Sequence, residues 1–363
     1  MSVSQANVRH DWRHRPSASR SLRDESARLT YFVCRVPSPQ SLMIHQFAYS
    51  RASSSEDADQ KLAAAGAAPL GGGTDLVVCM REHLARPEAL VDLTHIPDAQ
   101  GVTERADGGV RIGGSARLAH LARHPLVRDR FSALAQACES VGTPALRTMG
   151  TIAGNLCQRP RCWYLRSGFA CHKSGGDSCP AASGENQYHA ILAGGPCYIV
   201  HPSDPAVALT TLEAEVEIRG PSGVRRVAIA DFYVLPSERL DHETVLGAGE
   251  YVSAVEIPSG SAGGAQWYEK VMQRAAWDFA LVSLAAARRQ DGGVRLVLGG
   301  VAPKPWRVAE SVEEDVAVGG LSEDDIATLA ERAMYDARPL AKNGYKVQMA
   351  AAVLRRGIER ILR

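Results

Sequence analysis

The chain is predicted to fold as α+β, with strands and helices segregated along the sequence. Three observations carry that prediction. Beyond residue 265, three strand-like runs (QWYEKVMQRA, ALVSLAAARR and GVRLVLGGVA) precede two helical ones, whereas a doubly wound parallel sheet would alternate them. Upstream, AEVEIRG and VRRVAIA are joined through GPSG, a hairpin signal. Between these regions, PSGSAGGA at 258–265 has the Gly/Ser/Ala composition of a domain boundary.

Taken in order, residues 1–42 are rich in Arg and Ser and show no helical or strand period. They read as a disordered tail or as a mis-assigned start ahead of Met43. Regularity begins at Met43. DADQKLAAAG is helical, AAPL a short strand, and VVCMREHLA an amphipathic helix. EALVDL and GVRIGG read as strands, LAHLARH and VRDRFSALAQACESVG as helices. Cys79 and Cys138 fall on mixed faces of such helices, where a buried cysteine is structural. DPAVALTTL is helical and precedes the hairpin, which completes a domain at 43–257. EDDIATLAERAMYD and KVQMAAAVLRRGIERIL close a smaller α+β domain at 266–363.

At 363 residues the chain can bury two or three cores. Its net charge is +1 and 45% of it is hydrophobic, so there is no basic stripe for nucleic acid. No apolar run approaches the ~18 residues that a membrane span needs. Eight cysteines without a secretory signal point to a reducing, cytoplasmic compartment, or a periplasmic one reached only through a partner's export signal.

Four of those cysteines, Cys162, Cys171, Cys179 and Cys197, fall in a stretch of Gly, Ser, Asn and Pro with no apolar face, and Cys157 lies just before them. So long a loop inside a domain needs a function or an internal staple. Disulfides would require an oxidising compartment. A structural zinc site shows a C-x2-4-C knuckle, and the spacings here are x8, x7 and x17. An iron–sulfur cluster also takes four thiolates and tolerates irregular spacing. Spacing alone leaves zinc and iron–sulfur level.

Two glycine turns carry the other signal. Gly71-Gly72-Gly73-Thr74-Asp75-Leu76 follows a strand and opens a helix, so its backbone N–H groups can approach a phosphate. It is not a GxGxxG fingerprint, so a Rossmann site is not implied. The second turn, around Thr151, Gly154 and Asn155, is similar. Together they suggest a diphosphate held between two loops. Ser203 or Asp204 caps the helix that follows, and Asp204 is equally a candidate ligand.

GGGTDL, TIAGNL, the Pro202-Ser203-Asp204 box and YEKVMQR with DFALVS stand in the order that resembles the FAD-binding (medium) subunit of the molybdenum hydroxylases, the xanthine dehydrogenase family. The resemblance runs from Met43 to the C-terminus and includes LGGVAPKPWR. It implies a vanillyl-alcohol-oxidase-like, two-lobed FAD-binding domain followed by a domain of the CO dehydrogenase flavoprotein type. By motif, it implies that Gly71, Gly72, Gly73, Thr74, Asp75 and Leu76 hold the FAD diphosphate from one side and Thr151, Gly154 and Asn155 from the other. Asp204 then faces the ribityl or ribose region, and Lys270 lies near the isoalloxazine ring.

The insertion at about 157–200 is similar to that of the aldehyde oxidoreductase branch, which implies an additional [4Fe-4S] cluster on Cys162, Cys171, Cys179 and Cys197, with Cys157 as the spare or a replacement. The implied function is electron transfer within a heteromeric oxidoreductase. Electrons would come from a large molybdopterin-binding subunit through a small [2Fe-2S] subunit and leave to an external acceptor. No acid–base or hydrolytic constellation stands out within the chain. A stand-alone flavin-dependent oxidoreductase of the same fold, or a zinc-stapled scaffold, is the alternative.

Overall fold

A computed structural model describes residues 44–363. The expectations for residues 1–42 lie outside the described residues.

The chain begins with β1 (Ala48–Arg51), α1 (Ser55–Leu62), β2 (Ala67–Leu70), α2 (Leu76–Arg81) and β3 (Ala89–Asp92). Ser54 caps α1 by accepting from the Asp57 amide at 3.2 Å. β3 pairs in parallel with β1 and β2, giving the order β1-β3-β2. This small parallel sheet departs from the sequence expectation. It arises because α1 and α2 each serve as the crossover that parallel neighbours require.

β4 (Val102–Glu104) and β5 (Val110–Gly113) open the second sheet. A helical layer follows: α3 (Leu118–Leu121), α4 (Pro125–Arg130), α5 (Ser132–Ser140), α6 (Pro144–Met149) and α7 (Ile152–Leu156). Then come α8 (Trp163–Arg166) and α9 (Asp204–Thr211). β6 (Glu215–Gly220), β7 (Gly223–Ala228), α10 (Ile229–Phe232) and β8 (Tyr251–Ile257) complete the unit. The sheet is antiparallel throughout, in the order β4-β5-β8-β6-β7. The single helix expected over VRDRFSALAQACESVG is two. Phe131 breaks it with non-helical angles while burying its ring completely. Every residue of α9 is buried, and Thr210 and Thr211 return their hydroxyls to carbonyls four residues back.

The last unit holds β9 (Ala265–Val271), β10 (Val282–Arg288), β11 (Val294–Gly299) and β12 (Trp306–Arg307), antiparallel in the order β12-β11-β10-β9. α11 (Glu310–Val318), α12 (Glu323–Arg332) and α13 (Tyr345–Leu362) follow. β10 is apolar along nearly its whole length because both of its faces are covered. Leu284 and Ala286 join the core of the C-terminal helices, and Ala285 joins the core that contains α9.

The segment 157–200 contains α8 and otherwise almost no regular structure, so its backbone groups need outside partners. The start of α13 and the residues before it supply many of them. Asn343 donates to the carbonyls of His189 and Ala190 at 3.1 and 3.2 Å. The Lys346 ammonium donates to those of Tyr188, His189 and Gly300 at 2.9, 3.2 and 2.8 Å. Burial pushes Lys346 down to about 7. Three carbonyls, one for each ammonium N–H, oppose that shift. Lys346→Met should therefore cost about 3 kcal/mol by stranding the Tyr188 and Gly300 carbonyls, while that of His189 keeps Asn343. Hydrogen exchange should show the loss concentrated at 185–191, and unchanged protection there would refute this account.

Candidate functional site

The first glycine turn links β2 to α2, and the second links α6 to α7. They are packed directly on each other. A Cβ on Gly72 would overlap the Met149 carbonyl, and one on Gly71 would lie 2.7 Å from Thr151 Oγ1. Gly73 has φ +70, a left-handed angle that glycine adopts without strain. The missing side chains at 71 and 72 thus serve turn-on-turn packing first. The second turn is itself fixed to the chain at 114–118, through Leu118 N to Gly150 O and Ile152 N to Ala116 O. Thr151 caps α7 by accepting from Gly154 N at 3.1 Å.

Between the turns lies a cavity of about 90 Å³ whose walls include Thr74, Asp75, Gly154, Asn155, Asp204 and Lys270. Gly71, Gly72, Gly73, Leu76 and Thr151 are not part of its lining; they shape the turns behind it. The cavity shares Arg161, Pro202, Asp204, Asp278 and Phe279 with a second one of about 320 Å³, which runs along Ile199–Asp204 toward Gly299 and Gly300. His201 lines this larger space. Its Nε2 is buried without a hydrogen-bond partner, and burial pushes the ring down to about 3.

Ser203 is the N-cap of α9. Its hydroxyl accepts from Ala206 N at 3.1 Å and donates to Asn155 Oδ1 at 2.6 Å, joining the second turn to the helix. Asp204 is buried in the first turn, where its oxygens accept from Tyr268 Oη at 2.7 Å and Lys270 Nζ at 2.8 Å. Burial raises its pKa and the Lys270 charge opposes that rise. Tyr268 and Lys270 are two residues apart on β9, so they share a face. Lys270, expected near an isoalloxazine ring, is held by the Asp204 carboxylate. Its ammonium also donates to Ser140 O at 3.2 Å, so two of its three N–H groups go to these protein acceptors.

Asp75 is engaged as well. It accepts from Arg159 N at 2.7 Å and pairs with Arg161 and Arg166 at 3.0 and 3.1 Å. The first turn is thereby fastened to the start of the cysteine segment. Arg161 was missed from sequence; its guanidinium lies 5.0 Å from the centre of the Phe279 ring, and burial lowers its pKa.

Cys162, Cys171, Cys179 and Cys197 line one small cavity of about 10 Å³. Cys157 is absent from its lining. It packs against the main core, and burial pushes it up to about 12. The Cys197 thiol donates to Cys179, which holds the Cys179 sulfur below the usual thiol range and raises Cys197. His189 Nε2 lies 3.3 Å from Cys162 Sγ. The donor chemistry suits a thiolate-bound group, while the space as it stands is about one water in size. Among the described residues, no three His, Cys, Asp or Glu side chains are placed to hold a metal ion. Cys79 and Cys138 are buried apart from this cavity, as expected.

Residues 45–260 match the family described as the FAD binding domain in molybdopterin dehydrogenase, and residues 267–361 match the CO dehydrogenase flavoprotein C-terminal domain. The chain is 37% identical to the FAD-binding subunit PaoB of an aldehyde oxidoreductase from Escherichia coli, over 80% of this chain and 89% of that one. It is 28% identical to the carbon monoxide dehydrogenase medium chain of Afipia carboxidovorans, over 86% and 96%. Among solved structures, a Cu,Mo-CO dehydrogenase superposes with a TM-score of 0.66 at 26% identity, covering 88% of this chain and 98% of that chain. The α+β sheets, the paired glycine turns and both family matches agree: the chain belongs to the FAD-binding subunits of the molybdenum hydroxylases.

Proposed function

We propose that this chain is the FAD-containing electron-transfer subunit of a heteromeric molybdenum hydroxylase. The observation that carries this reading is the cavity between two interlocked glycine turns in a chain of this family. Bound FAD would supply the chemistry of accepting and releasing electrons singly or in pairs. Thr74, Gly154 and Asn155 would face the cofactor, with Asp204 and Lys270 completing the wall. Gly71, Gly72, Gly73, Leu76 and Thr151 would hold those residues in place. The partners would be a large molybdopterin-binding subunit and a small [2Fe-2S] subunit. Among the described residues, no helix is long and apolar enough to cross a membrane.

The purified complex should contain one FAD per copy of this chain. Removing the flavin should abolish reduction of an external dye while substrate still bleaches the [2Fe-2S] centres. Dye reduction that survives flavin removal would eliminate the proposal.

A [4Fe-4S] cluster on Cys162, Cys171, Cys179 and Cys197 is the finer part of the reading. Its support is that these four thiols, far apart in sequence, line one cavity that Cys157 does not reach. A zinc ion needs four donors about 2.3 Å from a single point, whereas a cluster spreads its thiolates over several irons. The thiols would have to separate to admit it. Anaerobically prepared protein should hold about four irons and four sulfides per chain. Changing any of the four cysteines to Ser should lower iron content, and Cys157→Ser should leave it intact. Stoichiometric zinc without sulfide, or iron lost only from Cys157→Ser, would remove this ligand set.

A further inference from the structure

We propose that Arg161, delivered by the cysteine segment, is a direct contact to the FAD diphosphate. The inference rests on the FAD reading and adds a residue from outside both glycine turns. A dinucleotide seated between the turns would exceed the space of about 90 Å³ there, and the adjoining 320 Å³ offers it room across the shared neck. Five residues form the neck common to both spaces, and Arg161 is the single cation among them. The other ionisable groups there, Asp204 and Asp278, are carboxylates, which repel a diphosphate. Lys270 lines only the smaller space and is already paired with Asp204 at 2.8 Å.

The guanidinium is held ready for this contact. One nitrogen, Nη2, reaches Asp75 at 3.0 Å and Gln158 Oε1 at 3.0 Å, and Nη1 donates to the Arg159 carbonyl. Its face rests on Phe279. Two of its five N–H groups hydrogen-bond to Arg159 and Gln158 and Nη2 is also ion-paired with Asp75, so the guanidinium keeps N–H groups for a ligand at the neck. A planar, pre-positioned fork of this kind suits phosphate oxygens, and little rotamer freedom is left to lose on binding.

Anchoring the loop to Asp75 is the competing explanation, and Arg166 separates the two. Arg166 also pairs with Asp75, and with Glu82 at 2.8 Å, yet it lines neither space. FAD would be removed from the full chain and rebound under titration, with far-UV circular dichroism confirming the fold. Arg161→Gln should weaken FAD binding by about tenfold to a hundredfold, the range for hydrogen bonds to charged groups. Arg161→Lys should fall between it and the wild type, and the salt dependence of binding should be shallower in Arg161→Gln. Arg166→Gln should shift the dissociation constant by less than about threefold. Equal weakening by Arg161→Gln and Arg166→Gln, or FAD affinity in Arg161→Gln within twofold of wild type, would overturn the contact. A wild-type chain that takes up no FAD would instead defeat the underlying reading.

Discussion

Lys270→Met should destabilise the protein by roughly 3–5 kcal/mol, the usual cost of removing one partner from a buried ion pair. The Lys270 and Asp204 side chains are 3% and 5% exposed, and their charged atoms are 2.8 Å apart. Without the ammonium, the Asp204 carboxylate keeps only the Tyr268 hydroxyl at 2.7 Å and must remain charged in an apolar setting or take up a proton. The pair ties β9 to the first turn of α9, so the damage spreads to the wall of the cavity. Adding Asp204→Asn to Lys270→Met should recover much of the loss, because Asn still accepts from Tyr268 and no charge is stranded. Denaturant unfolding of the two single variants and the double variant measures this coupling. A Lys270→Met protein as stable as wild type would show that the pair with Asp204 does not hold the fold together.

That pair also shows where sequence reasoning stopped. The order of motifs placed Asp204 and Lys270 in one site, yet nothing in their spacing, 66 residues apart, showed that they bond to each other. Tyr268 could have been found, since a strand puts residues two apart on one face. Local signals did well where local physics governs. The hairpin at Gly220–Gly223, the Ser203 cap and the apolar period of α13 all formed as expected. β8 was missed although it is central and wholly buried, because YVSAVEI carries no alternation when both faces are covered. Arg161 was missed for a different reason. It is an ordinary arginine beside a conspicuous cysteine, and only the fold brings it to Asp75 and Phe279. The four cysteines were legible as a group by composition, and the bonds from α13 to their segment at Tyr188 and His189 are ones that no local pattern encodes.

Gly72→Ala should abolish FAD retention, while Gly73→Ala should preserve it. From sequence the two glycines look equivalent, each sparing a Cβ near a phosphate. The structure separates them. At Gly72 a single added carbon would overlap the Met149 carbonyl, which also accepts from Arg117. Backbone on that side cannot yield, because Gly150 and Ile152 are hydrogen-bonded to the chain at 116–118. The first turn would have to retreat, carrying Thr74 and Asp75 away from Gly154 and Asn155 and opening the cavity between them. At Gly73 the added carbon would meet the side-chain ends of Val77 at 3.2 Å and Leu70 at 3.7 Å, so the main cost there is the left-handed φ of +70, about 1–2 kcal/mol. Gly73→Ala should therefore melt earlier yet bind FAD with near-wild-type affinity. Flavin absorbance per chain after desalting, read beside thermal midpoints, distinguishes the two. Full FAD occupancy in Gly72→Ala would mean that the two turns need not interlock to form the site.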